Sequence, residues 1–210
     1  MQFLSVDVFL IIFIGMGPIK VLLAYIAATR DASPALQRKV AQKTIMTATT
    51  IGIVLLVAGV IFMRILHFSQ GALTIAGGLI LLLLALHMVL SPGKKEDHQT
   101  GPSESDLMSM AVYPLAIPLL LNPIGIVALT VFSAESQKIV DVAVILGMLL
   151  VVALIDYGAF LASHRLDSWL THERILVMEK LLGILLAALA VQLVLSGLAD
   201  VGVITLTGAH

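Results

Sequence analysis

Apolar positions run along this chain in six blocks, near residues 4–28, 43–63, 70–90, 111–133, 140–162 and 180–199, each bounded by polar or charged residues. At roughly 20 residues apiece the blocks suit α-helices crossing a hydrocarbon core of ~30 Å, and six transmembrane helices are predicted. Two of the blocks cannot be one regular helix. The fourth contains YPLAIPLLLNPIGIVALT over 113–130, where Pro114, Pro118 and Pro123 each lack the backbone N–H that an unbroken helix uses. Asn122 followed by Pro123 reads as a helix start, because asparagine is a favoured N-cap and proline is preorganised for the first helical position. A helix is therefore predicted to begin inside the membrane.

The first block carries a matching interruption. Shifting by 105 positions takes Pro18 onto Pro123, Ile19 onto Ile124 and Gly17 onto Asn122. The same shift takes Gly78 onto Gly183, Ala85 onto Ala190, Ser91 onto Ser196 and His87 onto Gln192, in the third and sixth blocks. The polar stretch 92–109, with KKEDHQTGPSESD inside it, separates the two halves. This gives a first three-helix repeat over 1–91, a cytoplasmic linker over 92–110 and a second repeat over 111–210. Loop charge sets the orientation. Arg30, Arg38, Lys39, Lys43, Lys94, Lys95, Arg165, Arg174 and Lys180 fall in the odd-numbered loops, against Arg64 and Lys138 on the other side. Positive charge marks the cytoplasmic side, which puts both termini outside the cytoplasm and, with three spans per half, inverts the second repeat. The predicted fold is all-α: six transmembrane helices as two inverted three-helix repeats with broken first and fourth helices.

Composition agrees with a membrane protein. Hydrophobic residues make up 60%, charged residues 12% and mean hydropathy is +1.09, whereas soluble domains are about 25% charged. The net charge of −1 and the scatter of the basic residues argue against nucleic acid as a partner. Cysteine is absent, which excludes disulfides and thiolate metal sites. The first 19 residues hold no Lys or Arg, so the apolar start reads as a retained span rather than a cleavable signal peptide. His98, His164, His172 and His210 have no ligand spacing, so no metal site is expected. No cofactor motif, phosphate loop, nucleophile elbow or paired carboxylates occur, and enzymatic activity is not expected.

The candidate chemistry lies at the matched interruptions. Two half-helix starts meeting near the bilayer centre present free N–H groups and positive dipole ends, which favour an anionic ligand. Paired interruptions of this kind are a pointer to the substrate site of a secondary transporter. The plain alternative is that proline only kinks both helices. On the functional reading Gly17 and Asn122 cap the half-helices, Pro18 and Pro123 break them, Gly125 permits close backbone approach, and Lys20 holds an anionic group. Lys20 and Asp156 are the ionisable residues deep in the spans, where a charge marks a function or a static pair, and Asp156 is the candidate for a coupling proton. Thr44, Thr47, Thr49 and Thr50 cluster at the start of the second span, facing either a polar pathway or their own preceding turn.

Three stretches, LTIAGGLILLLLALHMVLSP at 73–92, AVYPLAIPLLLNPIG at 111–125 and MEKLLGILLAALAVQLVLSG at 178–197, resemble the MarC family of bacterial integral membrane proteins, also called NAAT. The likeness spans essentially the whole chain. That family is similar to six-span transporters of the LysE superfamily, and the resemblance implies an inner-membrane carrier of small neutral amino acids driven by a proton gradient. The family usually shows Asp/Asn-Pro-x-Gly-Asn in the first span and Gly-Pro in the fourth. Here Gly17-Pro18-Ile19-Lys20 stands first and Asn122-Pro123-Ile124-Gly125 fourth, so the motifs are exchanged and Lys20 replaces a glycine. The partners implied are a small-molecule substrate and the lipid bilayer, with a homo-oligomer left open and no cofactor. An exporter of drug-like or metabolite cargo, or a membrane scaffold that moves nothing, are the rival readings. A carrier predicts a hydrated central cavity touching Pro18 and Asn122; a scaffold predicts dry packing there.

Overall fold

The computed structural model describes residues 5–90, 103–136, 138–163 and 172–205. Among them the chain is helical throughout, without strands: α1 (Ser5–Gly15), α2 (Pro18–Thr29), α3 (Pro34–Leu66), α4 (Gln70–Leu90), α5 (Glu104–Met110), α6 (Pro123–Glu135), α7 (Ile139–Ala162) and α8 (His172–Asp200). The first apolar block folds as two helices of 11 and 12 residues, each too short to cross a membrane by itself. Four helices of the described residues, α3, α4, α7 and the last 18 residues of α8, are long and apolar enough to span. A fifth span results if the stretch from α5 to Leu120 and α6, bent by 70° at their junction, are taken together.

Local chemistry explains the element bounds. Between α5 and α6 the chain is kinked over Ala111–Leu120, with extended backbone at Tyr113 (φ −134°, ψ 125°) and Ile117 (φ −133°, ψ 129°). Each of these residues precedes a proline, whose ring disfavours helical geometry in the residue before it. α3 runs for 33 residues, about 50 Å at ~1.5 Å per residue, and so exceeds the ~30 Å hydrocarbon core. Its extra length is the polar start, capped by Ser33 with Pro34 in the first turn. Ser103 and Asp106 form a reciprocal capping box that starts α5 at the end of the polar linker. Lys39 of α3 pairs with Glu104 of α5 at 3.0 Å, a solvent-exposed bridge that contributes little.

The outer surface is apolar. Ile65, Leu83, Leu90, Leu154 and Leu185 are exposed, as lipid-facing side chains are in a protein that buries its polar backbone within helices. The interior is led by Tyr25, Phe160, Ile12, Met16, Leu121 and Leu149. α4 and α8 make the most extensive helix pair. A methyl group added at Gly78 would lie 2.8 Å from the carbonyl oxygen of Ala190, and one at Gly183 would lie 3.2 Å from that of Ala85. The 105-residue shift turns one of these contacts into the other. Small residues at such crossings let membrane helices approach closely. Lys180 of α8 donates to the Met88 carbonyl at 2.7 Å, a cation at the carbonyl end of α4.

These contacts make a prediction. Gly78→Ala is expected to cost roughly 1–2 kcal/mol, because the methyl meets backbone that cannot rotate away. Gly147→Ala, where nothing lies within 4 Å, is expected to be neutral or stabilising by up to about 1 kcal/mol. Unfolding of both variants in detergent tests the pair, and equal melting would show that α4 and α8 are not in this register.

Candidate functional site

The two interruptions meet. Asn122 has extended geometry (φ −84°, ψ 169°), Pro123 follows in the first turn, and the Asn122 side chain accepts from Ile124 N at 2.9 Å and Gly125 N at 3.2 Å. It is thus the cap that the sequence predicts. The same residue also reaches the other half of the chain. Its backbone N–H donates to the Gly15 carbonyl at 2.9 Å, and its Nδ2 donates to the Ile14 carbonyl at 2.8 Å. The last carbonyls of a helix have no partner within it, and Asn122 supplies partners for two of those at the end of α1. The positive end of α6 therefore abuts the negative end of α1, which adds favourable dipole alignment.

Packing at this node is tight. A Cβ on Gly15 would sit 2.5 Å from the Gly125 Cα, and one on Gly125 would sit 2.6 Å from the Gly15 carbonyl oxygen. Gly125 thus allows backbone to approach closely, as expected, but the partner is the chain itself. Pro123 is seated against α4, where a Cβ on Gly77 would come within 2.7 Å of the proline ring. Asn122 is 2% exposed.

The first interruption differs. Gly17 (φ −99°, ψ 157°) and Pro18 begin α2 as predicted, but Gly17 has no side chain and no side-chain cap is made. A Cβ there would collide with the Phe13 carbonyl oxygen, so the tight exit from α1 requires glycine and forgoes a cap. Because Gly15 binds Asn122 and precedes Gly17 by two residues, the starts of α2 and α6 both lie at the carbonyl end of α1. What separates them is the carbonyl end of α1 rather than an open space. Lys20 belongs to the first turn of α2, but its side chain, and with it the static pair with Asp156 that the sequence allows, lies outside the described residues.

Asp156 in α7 is 0% exposed, and neither carboxyl oxygen has a hydrogen-bond partner among the described residues. An unpaired buried polar group is costly, and in a membrane span it marks a candidate functional position. Thr44, which is fully buried in α3, and Thr49 also keep hydroxyls without partners among the described residues. Thr47 and Thr50 lie elsewhere. They line a cleft of about 520 Å³ on the outer side of α3 with Lys39, Lys43, Met46 and Met108. Neither Pro18 nor Asn122 borders that cleft.

Gly17, Pro18, Asn122, Pro123 and Gly125 are thus gathered at one node, with Asp156 on a neighbouring helix. The sequence reading missed Ile14 and Gly15, whose carbonyls hold Asn122. The two glycines of Gly15-Met16-Gly17-Pro18 were a signal of close backbone approach that the reading did not use. They carried no sign of the partner 107 residues away from Gly15.

Comparison with known proteins bears on the architecture as a whole. A UPF0056 membrane protein of Methanocaldococcus jannaschii is 28% identical over 188 residues, covering 89% of this chain and 92% of that one. One from Archaeoglobus fulgidus is 28% identical over 194 residues, covering 91% of each. The UPF0056 inner membrane protein YhgN of Escherichia coli is 24% identical over 201 residues, covering 94% of this chain and 96% of YhgN. No solved structure gives a significant match. Residues 2–201 match the family described as MarC family integral membrane protein, and the chain belongs to that family.

Proposed function

We propose that this protein is a proton-coupled secondary transporter of a small neutral amino acid or similar metabolite, built as six spans in two inverted three-helix repeats. The observation that carries the reading is the meeting of two interrupted helices at one buried node, with a carboxyl group that has no partner among the described residues on a helix packed beside them. Interrupted spans in corresponding places of two repeats are the pattern of carriers whose site lies near the midplane. The reciprocal contacts of Gly78 with Ala190 and of Gly183 with Ala85 suit two halves related by a two-fold axis. The name of YhgN places that relative in the inner membrane, and the charge bias of the loops favours both termini outside the cytoplasm here.

The node is closed, with Asn122 buried and Gly15 against Gly125. A carrier in this conformation is occluded, and moving a substrate requires the α1–α6 contact to part. Dry packing is also the observation that favours a scaffold without transport. Uptake of labelled glycine and alanine into proteoliposomes separates the two readings. The expected result is accumulation driven by acid outside, together with an Asp156→Asn variant whose residual flux no longer responds to the pH gradient. Folded, inserted protein that accumulates neither amino acid would leave the scaffold reading in place.

A further inference from the structure

α3 marks its own depth in the membrane. From residue 44 to residue 63, between Lys43 and Arg64, it carries no charge, and that run is about 30 Å at ~1.5 Å per residue, the thickness of the hydrocarbon core. Lys43 therefore stands at the boundary between headgroups and hydrocarbon. Lys39 lies one turn outside that boundary and Thr47 one turn inside it.

The cleft of about 520 Å³ on the outer side of α3 straddles the same boundary. Its residues Lys39, Lys43, Thr47, Thr50 and Ile51 recur at helical spacing and form one stripe along α3. Met108 of α5 lines the cleft from the other side. Glu104, one turn before Met108, ties α5 to this face of α3 through its bridge to Lys39.

The two ends of the cleft differ in chemistry. The outer end presents two ammonium groups, and no acidic side chain is among the described residues that line it. Lys39 is engaged by Glu104, whereas half-buried Lys43 has no ion-pair partner among the described residues and calls for an anion. Deeper along the stripe, Thr47 and Thr50 offer hydroxyl donors about 6 Å and 10 Å below Lys43. The inner end is apolar, with Ile51 and with Met46, which is 59% exposed and so opens sideways to lipid. Methionine is flexible and adapts to an irregular apolar partner. Snorkelling accounts for lysines at this depth, but not for a cleft that continues beneath them.

We infer that this cleft binds one anionic glycerophospholipid, drawn from the leaflet at the basic end of α3. The phosphate lies between Lys39 and Lys43, the ester carbonyls accept from the two threonines, and an acyl chain follows Met46 and Ile51 along the helix. Such a lipid presents negative charge, acceptors and hydrocarbon in that order along its length, which no soluble anion does. A zwitterionic headgroup would bring its own cation against the lysines. Basic pockets at membrane depth are the sites where anionic headgroups are held. Bound there, the lipid joins α3 to α5 beside the Lys39 and Glu104 bridge.

The binding does not depend on transport, and its test reads lipid retention. The full chain in detergent is offered equal amounts of phosphatidylglycerol and phosphatidylcholine with the same acyl chains, and bound lipid is read by native mass spectrometry. Phosphatidylglycerol is expected to be retained about fivefold or more over phosphatidylcholine, and Lys43→Gln to reduce that preference about fivefold, the effect of one lysine near an anionic surface. Thr50→Trp, at an exposed position, fills the cleft without changing its charge and is expected to reduce phosphatidylglycerol retention as much. Arg64→Gln, at the far end of α3, is expected to leave it unchanged. Equal retention of the two lipids by the parent chain, or a preference that survives both cleft variants, overturns the proposal. So does a preference lost in Lys43→Gln but kept in Thr50→Trp, which would put the lipid on the open surface. Displacement of phosphatidylglycerol by inorganic phosphate at constant ionic strength overturns it too, because the cleft would then take a soluble anion. Should Lys43→Gln not fold, Thr50→Trp and the phosphate competition decide.

Discussion

Replacing Asn122 by alanine should lower the unfolding free energy by about 2–4 kcal/mol and abolish transport, because one side chain serves both halves of the node. Its oxygen caps α6, and losing an N-cap of this kind costs about 0.5–2 kcal/mol. Its Nδ2 satisfies the Ile14 carbonyl, which alanine would leave stranded in a buried site at about 1–3 kcal/mol. The backbone bond from Asn122 N to the Gly15 carbonyl survives, so the variant should still fold. Asn122→Asp keeps the cap but offers no donor to Ile14 and sets a negative charge against a carbonyl, so it should be no better than alanine. Thermal or SDS unfolding of both variants gives the measurement. Parent-like stability in Asn122→Ala would mean that the bonds at the node are not made in the folded protein.

Gly15→Ala is expected to be at least as damaging, at about 3 kcal/mol or more, and to abolish transport with it. Its methyl would meet the Gly125 Cα at 2.5 Å and the Gly125 backbone nitrogen at 2.7 Å. Neither atom can move without shifting α6, which would draw Asn122 away from Ile14 and Gly15 as well. Overpacking of flexible side chains costs about 1–3 kcal/mol, and a collision with backbone belongs at the top of that range. The damage should therefore not add to that of Asn122→Ala. A double variant no less stable than the worse single one is the expected signature of a shared node, and strict additivity would show that the two residues act separately.

The breaks at Pro18 and Pro123 were legible in the sequence because their chemistry is local: a missing N–H, a fixed φ and a capping residue all act within a few positions. Hydropathy placed the second span near 43–63, but α3 starts at Pro34, since Gln37, Arg38, Lys39, Gln42 and Lys43 hide a helix from any scan for apolar residues. Ser33-Pro34 announced that start as plainly as Asn122-Pro123 announced α6. The polar stretch ending at 110 read as linker throughout, yet Ser103 and Asp106 cap a helix inside it. What no local rule contains is the pairing of Ile14 and Gly15 with Asn122, or the burial of Thr44 and Asp156 without partners among the described residues. Those follow from how α1, α3, α6 and α7 pack, which a pattern of apolar residues along one chain does not specify.

The difference between Gly17 and Asn122 reaches beyond the node itself. In a protein whose two inverted halves were identical, the two helix starts would be related by a two-fold axis and held equally firmly. Here the contact of α1 with α6 is held by Asn122, while its counterpart, the end of the kinked segment against the start of α2, has only Gly17 to offer. The three bonds of the Asn122 side chain, at about 0.5–1.5 kcal/mol each, make the start of α6 the more firmly held of the two. On the proposed transport cycle the start of α2 yields first, and parting α1 from α6 is the slower step.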